Sequence, residues 1–371
     1  MIIGIPKEVK NHEYRVGATP SIVRELKKDG HTIIVQSDAG KEIGFLDEEY
    51  IQAGALIVST IQEVYSQAEM IVKVKEPQLE ECSLLKEGQI LFGYLHLAPD
   101  PVQTKHLIEK KVIAIAYETV TDSRGRLPLL LPMSEIAGRV SVQAATYYLQ
   151  LNNEGKGILL GGVNGVAPAK VVIIGAGAAG TEAARMAAGL GAEVYLLDND
   201  LNKLKELDLT FSPRIRTIFS TSASIEHFIS LADVVIGSVL IPGKLAPKLI
   251  TRQMIKKMKY KSVFVDISID QGGCSETSRP TTHSNPIYEE EGVIHYCVTN
   301  MPSACARTAT EALTNATFRY VKKLAKLGFK QALKQDSGLL EGLNVCFGNI
   351  TNRHVAEDLG LRYTSPETLL I

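Results

Sequence analysis

The chain has 371 residues, too many for one domain of ordinary size and comfortable for two. With 45% hydrophobic residues, 22% charged residues and a formal net charge of -1, its composition excludes a disordered chain and gives no sign of a polyanion-binding surface. Its five cysteines (Cys82, Cys274, Cys297, Cys305 and Cys346) are odd in number, and no two stand at C-x-x-C spacing. That supports neither a disulfide framework nor a zinc site and fits a reducing cytoplasm.

In chain order, short apolar runs alternate with helical patterns. "MIIGI" opens the chain as a strand and then meets charges, without the order of a signal peptide. A helix is expected from Pro20 to a stop at Gly30, then the strand "TIIVQ", a helical stretch over 61–68, and the strands "MIVKV", "ILFGYLH" and "VIAIAYE". Each run reads as buried on both faces, as in a parallel sheet. At "LLLPMS" the pattern breaks, and a helix over 135–151 with Ser134 as its N-cap should follow.

After a glycine-rich region over 157–180, interrupted by Asn164, Pro168 and Lys170 and so unsuited to a bilayer span, the alternation restarts. "KVVII" is a strand, 179–190 a helix, and "EVYLLDND" a strand with an acidic turn. Later strands are "ADVVIGSVLIPG" (232–243), "SVFVDISID" (262–270) and "HYCVTNMP" (295–302). Lys256, Lys257, Lys259 and Lys261 are interrupted by Met258 and Tyr260 and read as the solvated face of a helix end. A strongly helical stretch over 308–328 precedes a tail expected to fold back on the first domain. The fold expected is α/β: two Rossmann-like doubly wound parallel-sheet domains with a cleft between them. One would comprise 1–128 plus 307–371, the other 129–306.

"GAGAAG" places Gly175, Gly177 and Gly180 as G-x-G-x-x-G directly after a strand and at the opening of a helix. The first glycine permits the tight turn, the second lets backbone approach a pyrophosphate, and the third allows close helix–strand packing. The helix N-terminus, at Ala178 and Ala179, turns its unpaired N–H groups to the phosphates. Asp198 ends the next strand where an acid takes a ribose 2′-OH, and no Arg follows in "DNDLNK". The expected cofactor is therefore NAD rather than NADP, with Lys203 as a rim contact.

Ligands in open α/β sheets bind outside the carboxyl ends of the strands. In the first half those ends carry Lys75, Tyr94, His96 and Glu118, with Arg15 after the first strand. In the second half they carry Asp198, Ser220, Val239, Leu240, Asp270, Asn300 and Met301. A lone His is more often a satisfied core residue than a catalyst, but the company of Arg15, Lys75 and Glu118 argues for an active His96. Arg suits a bidentate grip on a carboxylate, Lys75 can polarise a carbonyl, and His96 can exchange a proton near neutral pH. Taken singly, Arg15 also reads as a surface ion pair, Lys75 as a solvated strand end, and Asp270 as a loop cap before Gly272.

The stretches "IGIPKEVKNHEYRVGATP", "IVKVKEP", "LFGYLHLAPD", "AYETV", "PLLLPMSEIAGR", "GKGILLGGVNGV", "DISIDQGG" and "HYCVTNMP" resemble, in order and over nearly the whole chain, the alanine dehydrogenase and pyridine-nucleotide transhydrogenase family. The resemblance implies a hexamer of two-domain subunits that reversibly oxidises L-alanine to pyruvate and ammonium with NAD; the charge balance and apolar pattern point to no nucleic-acid or membrane partner. It implies substrate binding by Arg15 and Lys75 and catalysis by His96 and Asp270. It also implies NAD contacts from Ser134, Asp198, Lys203, Ser220, Val239 and Leu240, and from Ile267, Ser268, Asp270, Arg279, Val298, Asn300 and Met301. Two departures stand out: Ser303-Ala304-Cys305-Ala306 where the family usually has Gly-Ala-Val-Pro, and Asn164 where it usually has Pro. Losing the proline at Ala306 should loosen the return crossing. No metal is expected, since Lys323 and Leu327 share a helix face that suits no hard cation. A transhydrogenase-like NAD-binding subunit, a saccharopine-type dehydrogenase with a bulkier substrate, and a non-catalytic NAD(H) sensor remain as competing readings.

Overall fold

The computed structural model describes residues 1–240 and 245–370. The chain divides into two compact units, Met1–Met133 with Cys305–Ile371 and Ser134–Ala304. These divisions fall a few residues from the 128/129 and 306/307 boundaries drawn from sequence.

The first unit contains β1 (Ile2–Ile5), β2 (Thr32–Gln36), β3 (Leu56–Val58), β4 (Met70–Val72), β5 (Ile90–Gly93) and β6 (Ile113–Ala116). The second contains β7 (Lys170–Ile174), β8 (Glu193–Asp198), β9 (Ile215–Phe219), β10 (Val234–Gly237), β11 (Val263–Asp266), β12 (Ile287–Glu290) and β13 (Val293–Tyr296). The chain then re-enters the first unit with β14 (Leu343–Cys346) and β15 (Asn349–Ile350). The first sheet runs β15-β14-β6-β5-β4-β1-β2-β3, and the second β12-β13-β11-β10-β7-β8-β9. From β6 to β3, and from β13 to β9, every neighbour is parallel. β14 pairs antiparallel with β6, so the tail does complete the first sheet.

Central strands such as β4, β5, β6 and β10 are buried at every position, as a sheet covered on both faces requires. Helices are set by local chemistry. Thr60 and Glu63 close a reciprocal cap on the helix Ile61–Gln67: Thr60 N donates to Glu63 Oε2 at 2.8 Å and Glu63 N donates to Thr60 Oγ1 at 3.2 Å.

Two expectations need correction. The helix expected over 135–151 is Leu131–Tyr148, so Ser134 lies inside it and does not cap it. Pro132 does not break this helix because a first-turn proline has no intrahelical N–H bond to lose, and Leu131 N already donates to Leu127 O at 3.0 Å. The strand expected over 232–243 is only β10 within the described residues, and 241–243 lie outside them. The lysines at 256–261 do lie at an exposed helix end, where Lys257 pairs with Glu226, Lys259 with Asp233 at 2.9 Å and Lys261 with Glu289 at 2.5 Å. At the departure from the family pattern, Asn164 sits in a tight turn that Val166 N closes onto Val163 O at 2.8 Å. Gly165 supplies the positive φ of 84°. This is a turn whose first central position suits proline but does not require it.

His295 on β13 is fully buried. Its Nδ1 lies 2.9 Å from Val293 O and its Nε2 2.8 Å from Thr277 Oγ1, partners that satisfy a neutral ring. Burial lowers its pKa to about 4. The unfolded chain therefore binds a proton that the folded chain refuses, and stability is lost as pH falls from about 6.5 towards 4. Urea midpoints are expected to give about 2 kcal/mol less stability at pH 5 than at pH 7 from this residue, and His295→Gln should remove that part of the difference.

Candidate active site

Because β6, β5, β4 and β1 are adjacent and parallel, their carboxyl ends share one edge. Glu118, His96, Lys75 and the loop bearing Arg15 follow those strands in that order. The parallel ladder continues past the strands themselves: Lys73 N donates to Phe92 O at 3.0 Å and Tyr94 N to Val74 O at 3.1 Å.

His96 is not a core histidine: its side chain is 44% exposed. Its backbone takes the left-handed conformation with φ 47°, which turns the ring out at the strand end. Glu118 accepts the backbone N–H groups of Leu95 at 3.2 Å and His96 at 2.6 Å, and its Oε1 lies 3.9 Å from His96 Nδ1. Tyr94 stacks on the imidazole at 6.1 Å between ring centroids. The carboxylate thus fixes the turn that presents the ring.

Arg15 is not a surface residue. It is 2% exposed and lies against Glu13, to which Nε donates at 2.6 Å and Nη2 at 2.5 Å. This takes up one edge of the guanidinium fork, so a bidentate grip by that edge on a ligand is not the arrangement found. Nη1 points at Met133 Sδ, 3.0 Å away, a weak acceptor that an oxyanion outcompetes. Lys75 is half-buried after β4.

Beneath this edge lies an ion cluster that no sequence pattern singled out. Lys73 Nζ donates to Glu8 at 3.1 Å and to Glu81 at 2.7 Å, and all three are buried. Glu8 also accepts the N–H groups of Val74 at 2.7 Å and Lys75 at 3.4 Å, so it ties the loop after β1 to the segment that carries Lys75. Burial alone would lower the Lys73 pKa, but Glu8 and Glu81 outweigh it and hold the ammonium charged. One cation shared by two carboxylates does not compensate both, and burial pushes the Glu8 carboxyl up despite Lys73.

In the second unit the strand order reverses between β7 and β10, the switch point where doubly wound sheets bind ligands. The glycine loop lies there. Gly175 has φ 101°, and a Cβ on Gly180 would stand 1.8 Å from Gly175 O and 2.6 Å from Ser238 Oγ. Those two positions exclude any side chain, whereas a Cβ on Gly177 would meet nothing within 4 Å. The backbone there is bare and open where a pyrophosphate must approach, beside the N-terminus of the helix Ala178–Gly189 with Ala178 and Ala179 in its first turn.

Asp198 Oδ2 accepts the N–H of Ala176 at 2.7 Å, and Lys203 Nζ lies 3.8 Å from the same oxygen. The acid therefore sits against the glycine loop, as a ribose-binding carboxylate must, and Ser220 N donates to its backbone oxygen at 2.9 Å. These features fit a dinucleotide with an unphosphorylated 2′-OH.

Of the other expected contacts, Ser268 Oγ donates to Val239 O at 2.8 Å, bringing 239 and 268 together, with Ile267 and Leu240 their chain neighbours. Asp270 is exposed and accepts the N–H of Asn300 at 3.2 Å, with Met301 buried beside it. It therefore bridges to the segment after β13 rather than merely capping its own loop. Val298 is buried and bridges Thr281. Arg279 lies over the Tyr288 ring at 3.8 Å, a contact that does not join it to the glycine loop. Ser134 precedes by one turn Gly138, where a Cβ would meet Ala179 O at 2.1 Å, so its helix is pressed against the first turn of the loop helix.

Asp266, unremarked in the sequence, organises this edge. Fully buried at the end of β11, it accepts from Ser268 N at 2.9 Å, Cys274 N at 2.8 Å and Ser278 Oγ at 2.5 Å. It thereby shapes the loop that presents Ser268 and Asp270. Burial pushes its carboxyl pKa up in spite of these donors.

Two doubly wound α/β units, one with a dinucleotide loop and one with a cationic and imidazole-bearing strand edge, define a nucleotide-dependent oxidoreductase class. The comparisons narrow this. The family model "Alanine dehydrogenase/PNT, N-terminal domain" matches residues 4–137 and "Alanine dehydrogenase/PNT, C-terminal domain" residues 141–353. The chain belongs to the alanine dehydrogenase and pyridine-nucleotide transhydrogenase family. It is 52% identical to the alanine dehydrogenase of Halomonas elongata over 370 residues and 51% identical to that of Methanococcus maripaludis over 371, with 100% of both chains covered in each case. A solved L-alanine dehydrogenase matches with TM-score 0.94 and 48% identity, over 97% of this chain and 99% of that one. A transhydrogenase from Sinorhizobium meliloti shares the fold, with TM-score 0.84 at 24% identity over 95% of this chain and 100% of that one.

Replacing Lys73 by Met would leave Glu8 and Glu81 buried without their cation. We expect a loss of about 3–5 kcal/mol, read as a lowered urea midpoint.

Proposed function

We propose that the chain catalyses the reversible oxidative deamination of L-alanine to pyruvate and ammonium with NAD. The observation that carries this reading is the row Arg15, Lys75, His96 and Glu118 along adjacent parallel strand ends, in a chain about half identical over its full length to alanine dehydrogenases. A transhydrogenase-like role, a bulkier amino-acid substrate or a pure sensor role would leave that row, in this sequence context, without a purpose.

NAD, when bound, supplies the hydride acceptor. The residues that would hold it are the open backbone at Gly177, the first turn at Ala178 and Ala179, and Asp198 for the ribose hydroxyls. Arg15 and Lys75 hold the substrate carboxylate, Arg15 through the Nη1 side of its fork because Glu13 holds the other edge. The substrate ammonium first gives up one proton to solvent, and loss of the Cα hydride from the neutral amine then leaves an iminium. His96 removes a proton from the water that attacks it and passes it to nitrogen; the carbinolamine collapses to pyruvate and ammonia, which takes the hydroxyl proton and leaves as ammonium. Glu118 holds the backbone turn that presents His96. Asp270 steadies the cationic nitrogen.

No helix among the described residues is long and apolar enough to cross a membrane. We place the protein in the cytoplasm, consistent with five free cysteines, four of them buried, and expect a homo-hexamer, as the family resemblance implies.

The test follows NADH absorbance with purified protein, NAD or NADP, and a panel of amino acids. Turnover on L-alanine with NAD is expected, and its absence with NADH still bound would favour the sensor reading. His96→Ala should cost at least about a hundredfold in kcat while NADH binding survives. Asp198→Ala should instead weaken NAD affinity and narrow the preference over NADP.

A further inference from the structure

Asn300 holds a left-handed backbone with φ 58°, a conformation that asparagine adopts more readily than other non-glycine residues, and it is hydrogen-bonded on both sides. On one side its N–H faces Asp270, 3.2 Å from Oδ1 and 3.4 Å from Oδ2. On the other side its carbonyl oxygen meets Ser303 N at 3.0 Å, Ser303 Oγ at 3.0 Å and His283 Nε2 at 3.3 Å. His283 Nε2 is also 2.9 Å from Ser303 Oγ.

A carbonyl oxygen has two lone pairs, so these three groups do not all donate to it fully. One arrangement uses every group. His283 Nε2–H donates to Ser303 Oγ, Ser303 Oγ–H donates on to Asn300 O, and Ser303 N–H takes the second lone pair. Ser303 is only 4% exposed, so water does not readily take the place of its hydroxyl. The residue is also one of the departures from the family pattern, which usually has glycine there. Glycine would keep the backbone donor and lose the hydroxyl that joins His283 to Asn300.

We propose that Ser303 and His283 are positioning residues that lock the Asn300 peptide and through it aim the Asp270 carboxylate. The proposal rests on the catalytic role given to Asp270 above. Neither residue need touch substrate or cofactor. The cost of losing them is a carboxylate held less accurately at the moment of reaction, with the ground-state binding surfaces kept.

The experiment compares Ser303→Ala, Ser303→Gly, Ser303→Thr, His283→Ala and Asp270→Asn in the NADH absorbance assay with L-alanine, with NADH affinity measured by fluorescence titration. Ser303→Ala, Ser303→Gly and His283→Ala should each lower kcat about tenfold, with KM for L-alanine and NADH affinity within about twofold of wild type. Ser303→Thr keeps the hydroxyl and should restore most of the rate. Wild-type kcat in both hydroxyl-free variants would overturn the proposal, as would a loss confined to KM or NADH affinity. Asp270→Asn separates the two levels of argument. If it turns over normally, the role of Asp270 falls and the positioning role falls with it. If it is severely impaired while the Ser303 variants are normal, only the positioning role is lost.

Discussion

Parallel pairing is the constraint on which both halves of the molecule depend. A parallel ladder sends every strand's carboxyl end the same way, so residues far apart in sequence arrive on one edge without further instruction. β6, β5, β4 and β1 do this for Glu118, His96, Lys75 and the Arg15 loop. β8, β7, β10 and β11 do it for Asp198, the glycine loop, Ser238 and Asp266. The apolar strand bodies bear the cost of fixing the backbone, which lets the ends be polar and, at His96 and Asn300, take the left-handed conformation.

A polar edge above a dry sheet needs support of its own kind. In the first unit the support is ionic: Glu13 under Arg15, and Lys73 between Glu8 and Glu81. In the second it is one buried carboxylate, Asp266, receiving backbone and hydroxyl donors. Apolar side chains of similar volume would serve stability as well in such places. What they could not do is grip two segments of backbone at once. Glu8 holds both Lys73 and the N–H groups of 74 and 75, and Asp266 holds both 268 and 274.

The glycine loop was legible in sequence because everything it needs is local: the strand before it, three glycines at fixed offsets, the helix after it and an acid ending the next strand. The strand-end row was legible as a set of candidates, but not the state of its members. Whether His96 is buried or exposed depends on Glu118 and the backbone of its own turn, which hydrophobic periodicity does not report. Arg15 looked equally like a surface residue, because Glu13 two positions earlier is an ordinary acid until both are enclosed. Lys73, Glu8 and Glu81 went unremarked for the same reason: their meaning lies in contacts spanning 65 and 8 residues of chain. The edge strands β3 and β12, three and four residues long, are too short for their pattern to be read. The helix at Leu131 was hidden by a proline that happens to stand in the first turn, where it does no harm.

The return of the chain to its first sheet has a consequence for biosynthesis. Ser134–Ala304 is a continuous stretch and contains all seven strands of its own sheet. The first unit, begun earlier, stays unfinished until β14 emerges more than two hundred residues after β6. During that interval β6 presents an unpaired row of N–H and C=O groups along an apolar strand, a template for the wrong partner. On a ribosome the order of completion is thus the reverse of the order of synthesis: the later unit can close first, and the opening residues wait with a raw edge.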